Sequence, residues 1–516
     1  MKLSQLIQND FFVPPEWDRE FGDIATDSRD VQLGDLFIAR AGSAAHGAEY
    51  IQSAIERGAA VVLQAPANDE ADQPLFRCEF NAQGTAVPVF RVDDLAARLP
   101  HWLHRCYDGV ANMAVFGVTG TNGKSSCVSY LAQLSTALNK PCGMLGTLGN
   151  GLWPRLQPTR NTTPDLSVVL RTLDNIGRAG ADRAAMEVSS HGLDQGRVFG
   201  LRFSGVMMTN LTQDHLDYHG TMEAYFEAKK TLLTNYDANI AVVNTDCEYG
   251  RQLFADSELP ALPMGYGSRA AMEANGLLPD FRDRLVSYEI TEFTGSGIRA
   301  NIESPWGNAE LVLPLLGEFN LANALGAMTL LACSGESFSE LVVAAASLQA
   351  VAGRMEVFVP AGSASGPVAV VDYAHTPDAI ETVLTSLQPW QRPINLVFGC
   401  GGDRDRSKRP LMMTAAMNHA NRIWLTDDNP RSESPAAIFA DVMTAAGADA
   451  FGIEQQHDRK EAIADALTVS AAEAIVVIAG KGHEDYQEIN GERRPYSDID
   501  VLKSLGYVPV GGQHAV

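Results

Sequence analysis

Apolar residues fall in short, separated runs along this chain, and many of the runs end in glycine or charged residues. Residues 35–39, apolar after Asp35, and 59–63 read as strands, and 50–57 between them reads as a helix. From 113 an apolar strand enters a glycine-rich turn that closes on Gly123-Lys124-Ser125-Ser126. The following 127–138 has helical spacing, with Val128, Leu131, Leu134 and Leu138 on one side. The last third is the most regular part. Four apolar strands each run into a polar or glycine-rich loop, within 368–375, 394–404, 423–431 and 475–484, with helical stretches between them. That rhythm predicts a parallel sheet wrapped by helices, whose ligands meet the carboxyl ends of the strands. Residues 250–310 carry few clear signals. No internal repeat is visible.

A chain of 516 residues is too long for one ordinary domain. A linker is expected near 107–112 and a second boundary near 352, giving segments 1–109, 110–352 and 353–516. The fold class expected is α/β in three domains: an N-terminal α/β domain, a central phosphate-loop domain on a parallel sheet, and a C-terminal Rossmann-like domain.

Net charge changes the picture by exclusion. At −24 the surface repels phosphate backbones, so nucleic acid is not an expected partner. The seven cysteines are far apart, odd in number and without a C-x-x-C pair. That suits a reducing cytoplasm and argues against a disulfide framework or a structural zinc site. Residues 1–10 lack a signal-peptide core, and no apolar run reaches membrane-spanning length.

The candidate chemistry starts at the glycine-rich turn. Strand, loop and helix N-terminus make a phosphate cradle of Gly120, Thr121, Asn122, Gly123, Lys124, Ser125 and Ser126. Lys124 would reach the β- and γ-phosphates of a nucleoside triphosphate, and Ser125 would hold Mg²⁺. The spacing departs from the common pattern, because Val118 stands where the first glycine is expected. Glu187 closes an apolar strand and can face a cation, although a sheet-edge glutamate would look the same. His215 and His219 are spaced i, i+4, but Leu216 replaces the glutamate a zinc protease needs. His215 is better read as part of a magnesium site. The run Asp217 to Gly220 matches D-x-x-G of GTPases, yet Asn139-Lys140 is followed by Pro141-Cys142, so the guanine-reading motif is missing. Residues 226–233 form an amphipathic helix, on which Lys229 and Lys230 read as a solvated face. Arg404, Arg406, Lys408, Arg409 and Arg431, interleaved with Asp403, Asp405, Asp427 and Asp428, suggest an anionic substrate.

Taken together, these segments resemble the Mur ligases over nearly the whole chain. The resemblance is carried by Thr26-Asp27-Ser28-Arg29, by the turn at 117–126 with its unusual spacing, and by Asn161-Thr162-Thr163 and Glu187 to His191. It continues through Asp214 to His219, Gly353 to Glu356, Asp372 to His375, Gly399 to Arg404, Asp428 to Arg431 and Gly480 to Glu484. It implies an ATP-dependent ligase of peptidoglycan synthesis that adds meso-diaminopimelate to the D-glutamate side-chain carboxylate of UDP-N-acetylmuramoyl-L-alanyl-D-glutamate through an acyl phosphate. It also changes one assignment. In the family the lysine matching Lys229 is carbamylated, which turns a cation into a carboxylate. Ser125, Glu187, His215 and carbamylated Lys229 would then hold two Mg²⁺. ATP contacts are implied at the loop and at Asn320 and Arg354, with Asp372 and His375 contacting ATP or steadying closure of the domains about a hinge near 353. The nucleotide-sugar dipeptide is expected at Thr26, Ser28, Ser43, Ala44, Ala45, Asn161, Thr162, Thr163, Ser189, Gln195 and Arg197. Diaminopimelate is expected at Arg404, Asp428, Asn429, Pro430, Arg431, Gly480 and Glu484, with Arg431 meeting the distal carboxylate that lysine lacks. A cytoplasmic monomer with only small-molecule substrates is expected. The rivals are a lysine-adding relative, a folylpolyglutamate-type ligase, a phosphate-loop ATPase switch that needs no amino acid, and a non-catalytic descendant.

Overall fold

The computed structural model describes residues 1–8, 10–41, 46–66, 75–278, 280–294, 297–362, 365–446 and 452–510. It divides into two compact units, 1–114 with 163–182 and 191–202, and 115–162 with 183–190 and 203–516. The helix Leu166–Arg178 therefore belongs with the N-terminal unit, although strands of the central sheet flank it in sequence. Its apolar positions explain why. Leu166, Val169, Leu170, Leu173 and Ile176 form one buried stripe, and the helix Leu95–Cys106 of the same unit packs against it.

In the first unit a five-stranded sheet runs in the order Ile24–Ala25, Leu36–Ala39, Val61–Gln64, Ala86–Arg91, Phe76–Phe80. All pairings are parallel except the last. Leu36–Ala39 and Val61–Gln64 are buried at every position, as unbroken apolar runs in a covered parallel sheet should be. The expected helix is present as Ile51–Glu56.

The second unit contains two large sheets. The eleven-stranded one is centred on Ala114–Thr119, with Gly205–Met208 beside it in parallel and Arg183–Glu187 on the other side. The helix Lys124–Ala137 follows the first of these strands. It is buried almost all round, with Cys127, Tyr130, Ala132 and Ser135 covered as well as Val128, Leu131 and Leu134. One apolar side was expected. The second is covered by the helix Glu318–Cys333, itself buried along nearly its whole length. The stretch poor in signals holds a parallel strand, Met264–Ser268, and an antiparallel meander of Leu285–Thr294, Gly297–Glu303 and Ala309–Leu313. In the middle strand Ile298, Ala300 and Ile302 point inward while Arg299 and Asn301 are exposed.

The seven-stranded sheet runs Ile453–Gln455, Arg422–Leu425, Ile394–Phe398, Ile475–Ala479, Val368–Asp372, Glu356–Pro360, Tyr507–Pro509, with the first five parallel. Apolar clusters cover both faces. Because the four central strands are parallel neighbours, the loops after 372, 398, 425 and 479 all emerge at one edge. Among the described residues, no helix is long and apolar enough to cross a membrane.

Candidate active site

The phosphate loop is built by its neighbours as well as by its glycines. Thr121 N donates to Asn210 O at 3.0 Å and Asn122 N to Asn210 Oδ1 at 2.9 Å, while Thr209 Oγ1 donates to Asn122 O at 2.6 Å. Gly120 has φ +143°, and a Cβ there would collide with the Thr209 hydroxyl, so the loop can approach the neighbouring strand end only without a side chain. Gly123 caps the helix in the left-handed region, and the first turn carries no acidic residue. Ser125 and Ser126 are buried within that turn. The helix end therefore presents its N–H groups and positive dipole to an anion.

Two lysines converge on one carbonyl of this loop. Lys124 Nζ donates to Gly120 O and Thr121 O, each at 2.9 Å, and Lys229 Nζ donates to Gly120 O at 2.8 Å. Lys229 is only 1% exposed, with its ammonium 4.5 Å from the centre of the Tyr225 ring. Burial pushes its pKa well below the ordinary lysine value, and the neighbouring Lys124 charge adds to the shift. The solvated face expected from helical spacing is thus split. Lys229 points inward from the helix Met222–Thr234, whereas Lys230 lies half-buried in an ion pair with Asp256 at 2.8 Å. Burial lowers the Lys124 pKa too, opposed by Glu187 and Asp214.

Glu187 is 1% exposed at the end of its strand and accepts from Thr147 N at 2.8 Å and Thr147 Oγ1 at 3.4 Å. Thr147 Oγ1 also donates to Thr162 Oγ1 at 3.1 Å. His215 has φ +52° at the start of a one-turn helix, with its side chain 47% exposed. Its neighbour Asp214 is buried against Lys408 Nζ at 3.0 Å. Burial raises the carboxyl pKa, but Lys408, His215 and His375 outweigh it and hold the carboxyl far below the usual range. His219 is committed elsewhere, 2.9 Å from Ser190 Oγ. Arg354 stacks over Tyr373 with its guanidinium 4.3 Å from the ring centre. Asp372 accepts from Met355 N and Ala374 N at 2.8 Å each, and His375 Nδ1 lies 2.8 Å from Tyr373 O. Asn320 is buried in its helix, accepting from Tyr130 Oη at 3.0 Å and donating to Leu316 O at 2.8 Å.

The amino-acid candidates meet at the carboxyl edge of the seven-stranded sheet. Asn429 Nδ2 donates to Glu484 Oε2 at 3.0 Å, and Asn429 Oδ1 accepts from Glu488 N at 2.9 Å. Arg431 sits at φ +53° because the hairpin Tyr486–Ile489 and Glu492–Pro495 grips it. Its N donates to Glu488 O at 2.9 Å and its O accepts from Asn490 N at 2.7 Å. Its Nη1 donates to Gly402 O at 2.7 Å. Arg404 is exposed, Pro430 is buried, and Gly480 has φ +113°. The other cations of the expected cluster serve the fold. Arg409 is buried between Glu433 and Asp441, Arg406 pairs with Asp441, and Lys408 pairs with Asp214.

In the first unit a cavity of about 950 Å³ is lined by Thr26, Ser28, Gln195 and Arg197. Arg197 Nη1 donates to Thr163 O at 2.7 Å and Thr26 Oγ1 lies 3.0 Å from Ser167 Oγ. Asn161, Thr162 and Ser189 belong to the second unit. Ser43, Ala44 and Ala45 lie outside the described residues. Arg29 and Arg40 also line this cavity and were missed as site residues. Arg29 was legible, since it ends the Thr26-to-Arg29 motif.

A parallel-sheet enzyme with a phosphate loop, and a second sheet that gathers charged loops at its carboxyl edge, is the class these features define. Three family models match the chain: the Mur ligase family catalytic domain at 21–105, the Mur ligase middle domain at 118–331, and the Mur ligase glutamate ligase domain at 353–482. A relative from Alkalilimnicola ehrlichii, named UDP-N-acetylmuramoyl-L-alanyl-D-glutamate–2,6-diaminopimelate ligase, is 41% identical over 513 residues, 98% of this chain and 99% of its own. A solved structure of a ligase with the same name is 34% identical, covers 98% of both chains and superposes with a TM-score of 0.63. A Mycobacterium tuberculosis folylpolyglutamate synthase, solved with ADP and AMPPCP, is 16% identical and covers 73% of this chain and 91% of its own, with a TM-score of 0.57, which is likeness of fold. The chain belongs to the Mur ligase family. It is an amide-bond-forming ligase that uses ATP.

Proposed function

We propose that this protein joins meso-diaminopimelate to the D-glutamate side-chain carboxylate of UDP-N-acetylmuramoyl-L-alanyl-D-glutamate, a step of peptidoglycan precursor synthesis in the cytoplasm. The observation that carries the reading is the presence, at one sheet edge, of both a cation, Arg431 with its backbone held by the hairpin, and two carboxylates, Asp428 and Glu484, gathered around Lys481. An amino-acid head group is itself a carboxylate beside an ammonium, and lysine carries no such pair at its far end. The 41% identity to a diaminopimelate ligase across the full length supports it.

Residues 1–109 bind the nucleotide sugar, 110–352 hold ATP, and 353–516 receive the amino acid. The 950 Å³ cavity with Arg29, Arg40 and Arg197 suits an anionic nucleotide sugar. The γ-phosphoryl group of ATP passes to the glutamate carboxylate, and ADP leaves. The amine then attacks the acyl carbon, the C–O bond to phosphate breaks, and the amine loses a proton. Lys124 and the helix N-terminus offset the repulsion between two anions in the first step.

The donor set fits a hard cation. Ser125 and Glu187 offer a buried hydroxyl and carboxylate. Burial lowers the Lys229 pKa, which favours the neutral amine, the form that reacts with CO₂ to give a carbamate. Among the described residues no three His, Cys, Asp or Glu side chains gather in ligating geometry, so a carboxylated Lys229 would have to complete the set. His215 is the outlier, since imidazole suits transition metals better than Mg²⁺. Bound Mg²⁺, in two ions, would neutralise charge on the transferring phosphoryl group.

The test is turnover of the nucleotide dipeptide with ATP and Mg²⁺, read by mass spectrometry. A tripeptide product is expected with meso-diaminopimelate and far less with L-lysine. Equal product from both amino acids overturns the specificity, and phosphate release without any acceptor favours the ATPase switch.

A further inference from the structure

We propose that Lys481 is a positioning residue that sets the charge of the amino-acid subsite, holding two carboxylates together so that they carry one net negative charge between them. The inference rests on the diaminopimelate reading above.

Lys481 follows the strand Ile475–Ala479 and is 0% exposed. Its Nζ donates to Tyr486 O at 2.8 Å, Asn429 Oδ1 at 3.0 Å and Glu484 Oε2 at 3.3 Å. Those three bonds use all the hydrogens of an ammonium. Asp428 Oδ1 stands 3.3 Å from the same nitrogen as a charge partner, and it is a buried oxygen without a hydrogen-bond donor. One cation thereby ties three segments: the loop of Asp428 and Asn429, the loop of Glu484, and the start of the hairpin that grips Arg431.

The consequence is electrostatic. Two carboxylates that each lie 3.3 Å from one nitrogen repel each other when no cation stands between them, and the loops that carry them are pushed apart. Lys481 offsets that repulsion, and the formal charges of the two carboxylates and one ammonium sum to a single negative charge. Beneath them Arg459 and Asp498 neutralise each other at 2.8 Å, both with fully buried side chains. Beside them Glu488 lies 3.6 Å from Arg431 Nε. An incoming ammonium therefore meets the net charge that it can balance, placed where Glu484 and Asp428 can both reach it. Lys481 is enclosed by these groups and need not touch the substrate. It acts through the carboxylates it holds.

The test uses the full chain and the complete reaction. Lys481→Met keeps an unbranched side chain of similar length and removes the charge; Lys481→Arg keeps the charge. For the Met variant the KM for meso-diaminopimelate should rise at least tenfold, while the KM values for ATP and for the nucleotide dipeptide stay within twofold. The Arg variant should raise the diaminopimelate KM less than the Met variant does. An unchanged diaminopimelate KM in the Met variant, an equal rise in all three KM values, or an Arg variant as impaired as Met overturns the proposal. If Lys481→Met does not fold, Lys481→Gln takes its place in the same comparison. Wild-type protein with no diaminopimelate-dependent turnover would defeat the functional reading instead, and is measured first.

Discussion

A lysine that is almost fully buried and donates to a loop carbonyl is costly to keep charged, and Lys229 is in that position. The cost is removed if the amine is carboxylated, because the new anion then faces Lys124 and any bound cation. Lys229→Ala should lower phosphate release at least about a hundredfold, the scale of losing one transition-state charge contact, and added formate or acetate should restore part of it. Normal rates in the variant would exclude the carbamate. Arg431 makes the complementary prediction for specificity. Arg431→Ala should lower kcat/KM for meso-diaminopimelate by about 2 kcal/mol or more, and the ratio of diaminopimelate to lysine rates should fall with it. A retained ratio would place the discrimination on other residues.

Local elements were legible where one stretch of chain decides them, and illegible where packing decides. The phosphate loop could be read from 113–126 because strand, turn and helix are contiguous. The four loops of the last third could be read because parallel strands leave unbroken apolar runs. Lys229 was misread by residue type rather than by spacing: it stands in the buried stripe of Tyr225, Phe226, Leu232 and Leu233, but a lysine reads as solvated until the loop carbonyl that receives it is known. Lys481 was equally hidden as a charged residue between two glycines. The meander at 285–313 was in principle visible as alternation, but its strands follow one another with short turns and no helix to mark them. That the helix Leu166–Arg178 packs with the N-terminal unit was not legible, because its apolar stripe does not say which partner covers it. A prediction belongs to the connection at 353. Gly353 has φ +64°, and a Cβ would stand 2.6 Å from Gly482 Cα. Gly353→Ala should destabilise the protein by about 1–3 kcal/mol, measured by denaturant unfolding; an unaffected midpoint would show that the loops can part there without cost.

For the whole molecule, buried bases set how stability follows pH. Burial pushes the His483 pKa down from 6.5 to about 4, and its Nδ1 is buried without a partner. Between those values the unfolded chain binds a proton that the native chain does not, so stability rises with pH through that window. As pH falls from 6.5 to 4 the loss attributable to His483 reaches about 3 kcal/mol, and His375, lowered mainly by burial, acts in the same direction. Unfolding free energy should therefore fall more steeply over this range in wild type than in His483→Gln, and parallel slopes would contradict the assignment. The central claim is that the phosphate loop holds ATP so that its γ-phosphoryl group meets a substrate carboxylate. It is tested most directly with nucleotide dipeptide labelled with ¹⁸O in the D-glutamate side-chain carboxylate, turned over with ATP, Mg²⁺ and meso-diaminopimelate. The released phosphate should carry one ¹⁸O from that carboxylate; phosphate free of label would show that ATP is hydrolysed without activating the acid.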